Sequence, residues 1–195
     1  MDQRVKELHC IMPIVNVLSV MQHGILSHER ASKLQHHSVA LQAVQDKRDG
    51  RHVPGGLKLH QYANLYFHAR NPMMYKRKND SPNLCILRVA TDVLGLPGTV
   101  ITDQNAASDY VRFLAPAHWH ALNFDDIFSM DWTHPDDPIA YFRHKARKCA
   151  EVLIQNQVES RFILGAYVAD SAAEQKLLKE GFNLPVSQNA VLFFK

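Results

Sequence analysis

The apolar positions of the chain fall into short runs separated by polar or glycine- and proline-rich breaks. "ELHCIM" reads as a strand that Pro13 stops, and a proline suits the first turn of a following helix. "IVNVLSVMQHGI" then puts Ile14, Val17, Leu18 and Met21 on one helical face, with Gly24 as its C-cap. After the polar "SHERASKLQHH" comes a second amphipathic segment, "SVALQAVQDKR", and then the loop "DGRHVPGG". "NLYF", "LCILRVA" and "GTVIT" are strand-like by β-branched and aromatic content. "DQNAASDYVRFL" predicts a helix, and "FDDIFSMDW" fits either regular structure. "DPIAYFRHKARKCA" predicts a helix with an Asp-Pro start. "AEVLI", "FILGAYVA" and "VLFF" predict strands, with the helix "SAAEQKLLKEG" between the last two, ended by Gly181. Strands and helices do not alternate regularly, so the pattern predicts one α+β domain over residues 1–195 with mostly antiparallel strands.

Composition narrows the function classes. With 46% hydrophobic residues the chain can bury a sizeable core, and a net charge of only +3 leaves anion binding to local clusters. Cys10, Cys85 and Cys149 are odd in number and far apart, which fits a reducing compartment and buried thiols. The charged N-terminus does not read as a signal peptide, and the longest apolar stretch, "IMPIVNVLSVM", is too short to span a bilayer. The expectation is a cytoplasmic chain with no membrane segment.

Two stretches carry candidate chemistry. "FRHKARKCAE" places Arg143 and Arg147 one helical turn apart, as it does His144 and Lys148, just before the lone acid Glu151 in an apolar strand. By itself this is a solvated helix face followed by an edge-strand acid, or else a phosphate-contact surface beside a catalytic carboxylate. "HQYANLYFHARNPMMYKRKN" packs aromatics, a turn and basic residues together, as a core strand would, or a surface for a flat ligand next to a phosphate. "HWH" at His118 and His120 has strand-like metal spacing without a third ligand, so no metal site is expected. Trp119 fits core packing, while Trp132 is the better candidate for stacking on a base.

Four pieces in order resemble the DarT family of bacterial toxins that ADP-ribosylate DNA. They are His9 with "NVLSVMQHGILS", then "VQDKRDGRHVPGGLKLHQY", "NLYFHARNPMMY" and "KCAEVLI"; "VITD" and the terminal "VLFF" also fall in place. The resemblance implies an ADP-ribosyltransferase-like fold of two antiparallel β-sheets around an NAD cleft with flanking helices. It implies Glu151 and Arg48 as catalytic residues, and His9, Ile11, Arg48, Tyr66 and Met73 as contacts to NAD, the co-substrate. DNA contacts would be Arg70, Tyr75, Trp132, Lys145, Arg147 and Lys148. Nicotinamide release builds positive charge on the ribose, which a carboxylate such as Glu151 stabilises. Arg48 suits the diphosphate or the ribose, and His9 a ribose hydroxyl.

The implied reaction is transfer of ADP-ribose from NAD to a thymine or guanine of single-stranded DNA, within a toxin–antitoxin or phage-defence system of bacteria. The implied partner is a DarG-type macrodomain antitoxin, and the implied state a monomer. Other readings are a transferase acting on RNA or protein, and a nucleic-acid-binding module whose NAD site has decayed. The sequence departs from the family pattern at Cys10 in the first motif, at Cys149 in place of a Gln, and at Asn105 in place of a His. Asn105 cannot titrate, so any proton transfer at that position would be lost.

Overall fold

The computed structural model describes residues 1–38 and 42–195. Among these the strands are β1 (Leu8–Pro13), β2 (Ile25–Leu26), β3 (Tyr62–Tyr66), β4 (Leu84–Val89), β5 (Val100–Thr102), β6 (Phe113–Leu114), β7 (Glu151–Gln155), β8 (Gln157–Val158), β9 (Ile163–Val168) and β10 (Val186–Gln188). The helices are α1 (Val17–His23), α2 (His28–Ala31), α3 (Gln42–Arg48), α4 (Pro72–Arg77), α5 (Phe124–Phe128), α6 (Pro138–Arg147) and α7 (Ser171–Lys179). Within the amphipathic segment expected over residues 38–48, residues 39–41 lie outside the described residues. None of the described helices is long and apolar enough to cross a membrane.

Eight strands form one sheet in the order β10-β9-β4-β1-β3-β7-β5-β6, and β2 pairs with β8 in a separate ribbon. All neighbours are antiparallel except β10 and β9. The join in the middle is narrow. β1 pairs with β4 at six positions, from Leu8↔Val89 to Pro13↔Leu84, but with β3 at His9↔Tyr66 alone. The expected two antiparallel sheets therefore take the form of two four-stranded halves that meet at one residue pair and part beyond it.

Side-chain alternation along the strands divides the interior. Leu8 and Met12 of β1, Ala63 and Leu65 of β3, Cys85 and Leu87 of β4, and Val152 and Ile154 of β7 fill the main core on one face. Ile11, Tyr66, Leu84 and Ile86 point to the other face and join a smaller cluster with Met74, Cys149 and Phe193. Burying one such aliphatic side chain contributes roughly 1.5–3 kcal/mol, so a one-residue register slip of β1 would be very costly. Gly24 ends α1 as expected, at φ 80°, and a Cβ there would lie 2.2 Å from the Val158 carbonyl oxygen. Glycine is what lets α1 close onto the β2–β8 ribbon.

Two expected elements differ. "DQNAASDYVRFL" forms turns leading into β6, because its polar side chains bind local backbone in place of helical partners: Asn105 Oδ1 accepts from Ala107 N–H at 2.8 Å, and Asp103 Oδ1 from Arg112 N–H at 2.9 Å. "VLFF" forms a single 3-10 turn over Ala190–Phe193, with Leu192 and Phe193 buried and Phe194 in the left-handed region at φ 63°. The apolar run there serves packing against the smaller cluster, and the strand that closes the sheet, β10, comes earlier.

Candidate active site

Opposed residues on antiparallel strands stand side by side on one face. The pairs Arg88↔His9, His9↔Tyr66 and Tyr66↔Glu151 thus line up four polar side chains in a single row across β4, β1, β3 and β7. Where β1 and β3 part beyond this row, a cleft of about 460 Å³ opens, a size ordinary for a cofactor or small ligand. Ile11, Arg48, Tyr66, Met73, Lys145 and Cys149 line it.

Glu151 is fully buried at the edge of this cleft. Its Oε2 lies 3.1 Å from Arg48 Nη1 and its Oε1 3.3 Å from the same nitrogen, while Ala106 N–H donates to Oε1 at 3.0 Å. Its own N–H donates to Thr102 Oγ1 at 3.0 Å, which fixes the start of β7 against β5. Arg48, the last residue of α3, lines the cleft while Glu151 stands behind it. A buried carboxylate is tolerated only with such partners, so the strand-edge account of Glu151 does not hold.

The Asn105–Ala106 turn has two tasks. Asn105 N–H donates to Ala146 O at 3.1 Å, anchoring the turn to α6, and the next amide holds Glu151. Asn105 itself lines the cleft. Opposite, the Pro72–Met73 wall is set by Asn71, fully buried at the start of α4, whose Oδ1 accepts from Met73 N–H at 3.0 Å and Met74 N–H at 3.1 Å. Burial pushes the Cys149 thiol up to about 12, so this cleft residue is no nucleophile at neutral pH. Burial likewise raises the Tyr66 phenol well above its ordinary value.

His9 behaves otherwise than expected. Its Nδ1 accepts from Ala69 N–H at 3.1 Å, so the proton sits on Nε2, which donates to Glu7 Oε1 at 3.2 Å. Both ring nitrogens are committed and the ring is buried outside the cleft lining, so it offers no bond to a ribose hydroxyl here. Burial would raise the Glu7 carboxyl, but hydrogen bonds from His9, Arg88 and Tyr167 outweigh that and hold it at about 2. This cluster braces the junction of β1, β4 and the Phe67–Asn71 turn.

Several expected DNA contacts are structural for the same reason of prior engagement. The Lys148 ammonium is buried, donating to Ile127 O at 2.8 Å and Ser129 O at 2.7 Å, and burial lowers it to about 8. Trp132 is 8% exposed, edge-on to Tyr75 and Phe194, and so is no open stacking platform. Arg70 lies over Phe194, 4.0 Å from the ring centre, and donates to Val191 O and to Met130 O. Tyr75 is half-exposed beside them. Lys145 remains at the cleft, bonded to Tyr141 OH at 3.0 Å, and Arg147 bonds Asp126 at 2.7 Å. His118 and His120 sit on a 3-10 turn, and among the described residues no group of three or more His, Cys, Asp or Glu is placed to hold a metal. Sequence reasoning passed over Asn64, Gln45 and Phe142 in the cleft lining; an isolated Asn or Phe in a regular element carries no signal of its own.

A carboxylate locked to an arginine at the end of a partly apolar cleft suits a ligand that develops positive charge while carrying an anionic tail. The sequence model of a family described as DarT, ssDNA thymidine ADP-ribosyltransferase, matches residues 9–193. The chain is 30% identical to a DNA ADP-ribosyl transferase–DNA ADP-ribosyl glycohydrolase fusion protein of Thermosipho africanus, aligning over all of this chain and 51% of that protein. It thus spans about half the length of that relative. The structure of Thermosipho africanus DarTG in complex with ADP-ribose superposes with a TM-score of 0.80 at 28% identity, over 97% of this chain and 51% of the other. Thermus sp. 2.9 DarT in complex with ADP-ribosylated ssDNA shares the fold, with a TM-score of 0.83 at 21% identity over 97% and 96% of the two chains. On the extent of the family match, this chain belongs to the DarT family.

Proposed function

We propose that the protein is a mono-ADP-ribosyltransferase that moves ADP-ribose from NAD to a base of single-stranded DNA and releases nicotinamide. The observation that carries this reading is Glu151, pinned by Arg48 and the Ala106 amide beside the cleft where the sheet divides. Thymine is the favoured acceptor, since the family description names thymidine. The chain acts as one catalytic unit, works in the bacterial cytoplasm as a monomer, and is neutralised as a toxin by a DarG-type macrodomain hydrolase. The fusion of transferase and glycohydrolase in the Thermosipho relative supports that partner.

In this reading Arg48 turns its guanidinium from Glu151 to the diphosphate of NAD, which uncovers the acid. Tyr66, with Ile11 and Met73, holds the nicotinamide ring. As the bond from nicotinamide to ribose C1′ breaks, its electron pair leaves with nicotinamide, and Glu151 stabilises the positive charge growing on the ribose. The acceptor atom of the base bonds to C1′ and gives up its proton, for which Glu151 is the base within reach. Asn105 positions by hydrogen bonding and takes no proton. Lys145 holds phosphate at the cleft mouth.

Incubating the protein with labelled NAD and separate pools of single-stranded DNA, RNA and protein tests this. Label should enter DNA and be lost with Glu151→Gln. Label entering RNA or protein with DNA unmodified would overturn the assignment of the acceptor.

A further inference from the structure

Helix α6 is a partition between two hollows. Lys145 and Cys149 face the reaction cleft, Ile139, Arg143 and Arg147 face a second hollow of about 870 Å³, and Phe142 and Ala146 line both. The spacing explains it: residues 139, 143 and 147 recur every four positions and share one side of the helix, and 142 and 146 form the crest. Across the second hollow stand Asp103, Tyr110 and Arg112, on the turns between β5 and β6.

The surface of this hollow is unusual for a solvated one. Tyr110 is 88% exposed, Phe142 65% and Ile139 64%, beside three arginines. Two of the cations are engaged, Arg112 with Asp103 at 2.6 Å and Arg147 with Asp126 at 2.7 Å. Arg143 has no ion-pair partner among the described residues, and Asp103 is the one acid in the lining. Flat open rings next to an uncompensated guanidinium suit stacked bases with a phosphate between them. Trp132, which the sequence put forward for stacking, is packed away, whereas Tyr110 and Phe142 are open rings in the lining of the second hollow.

We propose that the second hollow holds the nucleotides flanking the target base, so that the strand crosses the Phe142–Ala146 crest with the target base in the reaction cleft and its neighbours stacked on Tyr110. This rests on the reading of single-stranded DNA as the acceptor. A duplex has its bases stacked and paired, and offers no free faces to Tyr110; the hollow therefore selects for unpaired strands.

The test is length dependence. Modification efficiency, kcat/KM for the DNA, is measured for wild type and for Tyr110→Ala/Arg143→Ala on a series of oligonucleotides, from the shortest that wild type modifies upward, with NAD consumption in the absence of DNA as a control. Wild type should gain with length, and the variant should lose about tenfold or more of that gain, with unchanged NAD consumption. Tyr110→Phe, which keeps the ring, should behave as wild type. A variant that follows wild type at every length overturns the proposal and leaves the DNA reading standing. Transfer by wild type to RNA or protein but to no DNA oligonucleotide overturns both.

Discussion

Arg48 and Glu151 form a buried pair, with Arg48 Nη1 3.1 Å and 3.3 Å from the two carboxylate oxygens and both side chains withdrawn from solvent. The same contact ties α3 to β7 and covers the acid. Removing only the arginine leaves an uncompensated buried charge. Arg48→Ala should therefore cost about 3–5 kcal/mol of stability, and Arg48→Ala/Glu151→Gln should cost less than the sum of the single changes. Urea unfolding of the three variants measures this. Additive losses would mean that the two groups are energetically independent.

Glu151→Gln should behave differently from Arg48→Ala. It keeps the shape and an oxygen for the Ala106 amide but removes the charge. Transfer to DNA should fall by about a hundredfold or more, as for loss of other preorganised charge-stabilising groups, while NAD affinity stays within a few-fold. Calorimetric titration with NAD alongside single-turnover transfer separates the two. Near-wild-type transfer would remove Glu151 from the chemistry.

Asn71 is buried and caps α4 with one side-chain oxygen shared by two amides. Asn71→Ala should cost about 1–2 kcal/mol. Because Pro72 and Met73 line the cleft, NAD affinity should fall with it, whereas an equally destabilising change in the main core should leave affinity intact. An Asn71→Ala protein with unaltered NAD affinity would show the wall to be set by other contacts.

Lys145 and Lys148 lie three residues apart and should respond oppositely. Lys148→Met removes a buried ammonium that satisfies two carbonyls, so stability should fall while the salt dependence of DNA binding holds. Lys145→Ala should leave stability close to wild type and flatten the slope of log binding against log salt by about one unit. Fluorescence anisotropy at several salt concentrations distinguishes them; a flatter slope for the Lys148 variant would return that residue to the DNA surface.

His68 gives the fold a pH sensitivity. Burial, and then the nearby Lys148 charge, lower its value from 6.5 to about 3. The unfolded chain therefore takes up a proton first as pH falls through 6.5, and the folded state loses stability from there downward. The loss should be on the order of 2 kcal/mol between pH 6.5 and 4.5. Glu7 contributes little in that window, since most of its stabilisation is lost below 4.5. Denaturation curves at both pH values for wild type and His68→Asn check this; equal pH dependence in the two would assign the effect elsewhere.

Much of the local structure was legible in the chain's residues: β1 and its proline stop, the Gly24 cap, the Asp-Pro start of α6, and the helix ended at Gly181 are all set by backbone chemistry within a few residues. The sequence also supplied Arg48, Tyr66, Met73 and Ile11 as cleft residues and Glu151 beside them, through ordered motifs that keep their identity along the chain. Tertiary structure decided which polar groups were left available. Lys148 and Arg147 read alike in sequence, yet one ammonium is enclosed by the carbonyls of Ile127 and Ser129 while the other cation bonds a carboxylate at the rim of a hollow. His9 has its place in the row beside Tyr66, but Glu7 and the Ala69 amide take both its nitrogens. Trp132 and the terminal apolar run were drawn inward against Tyr75 and the smaller core, leaving Tyr110 and Phe142 as the more open rings. Most of these outcomes depend on partners well beyond one turn or one strand away, 21 residues for Lys148 with Ile127 and 60 for His9 with Ala69, and a hydrogen bond or ring contact made across such a distance leaves no periodic mark in the sequence.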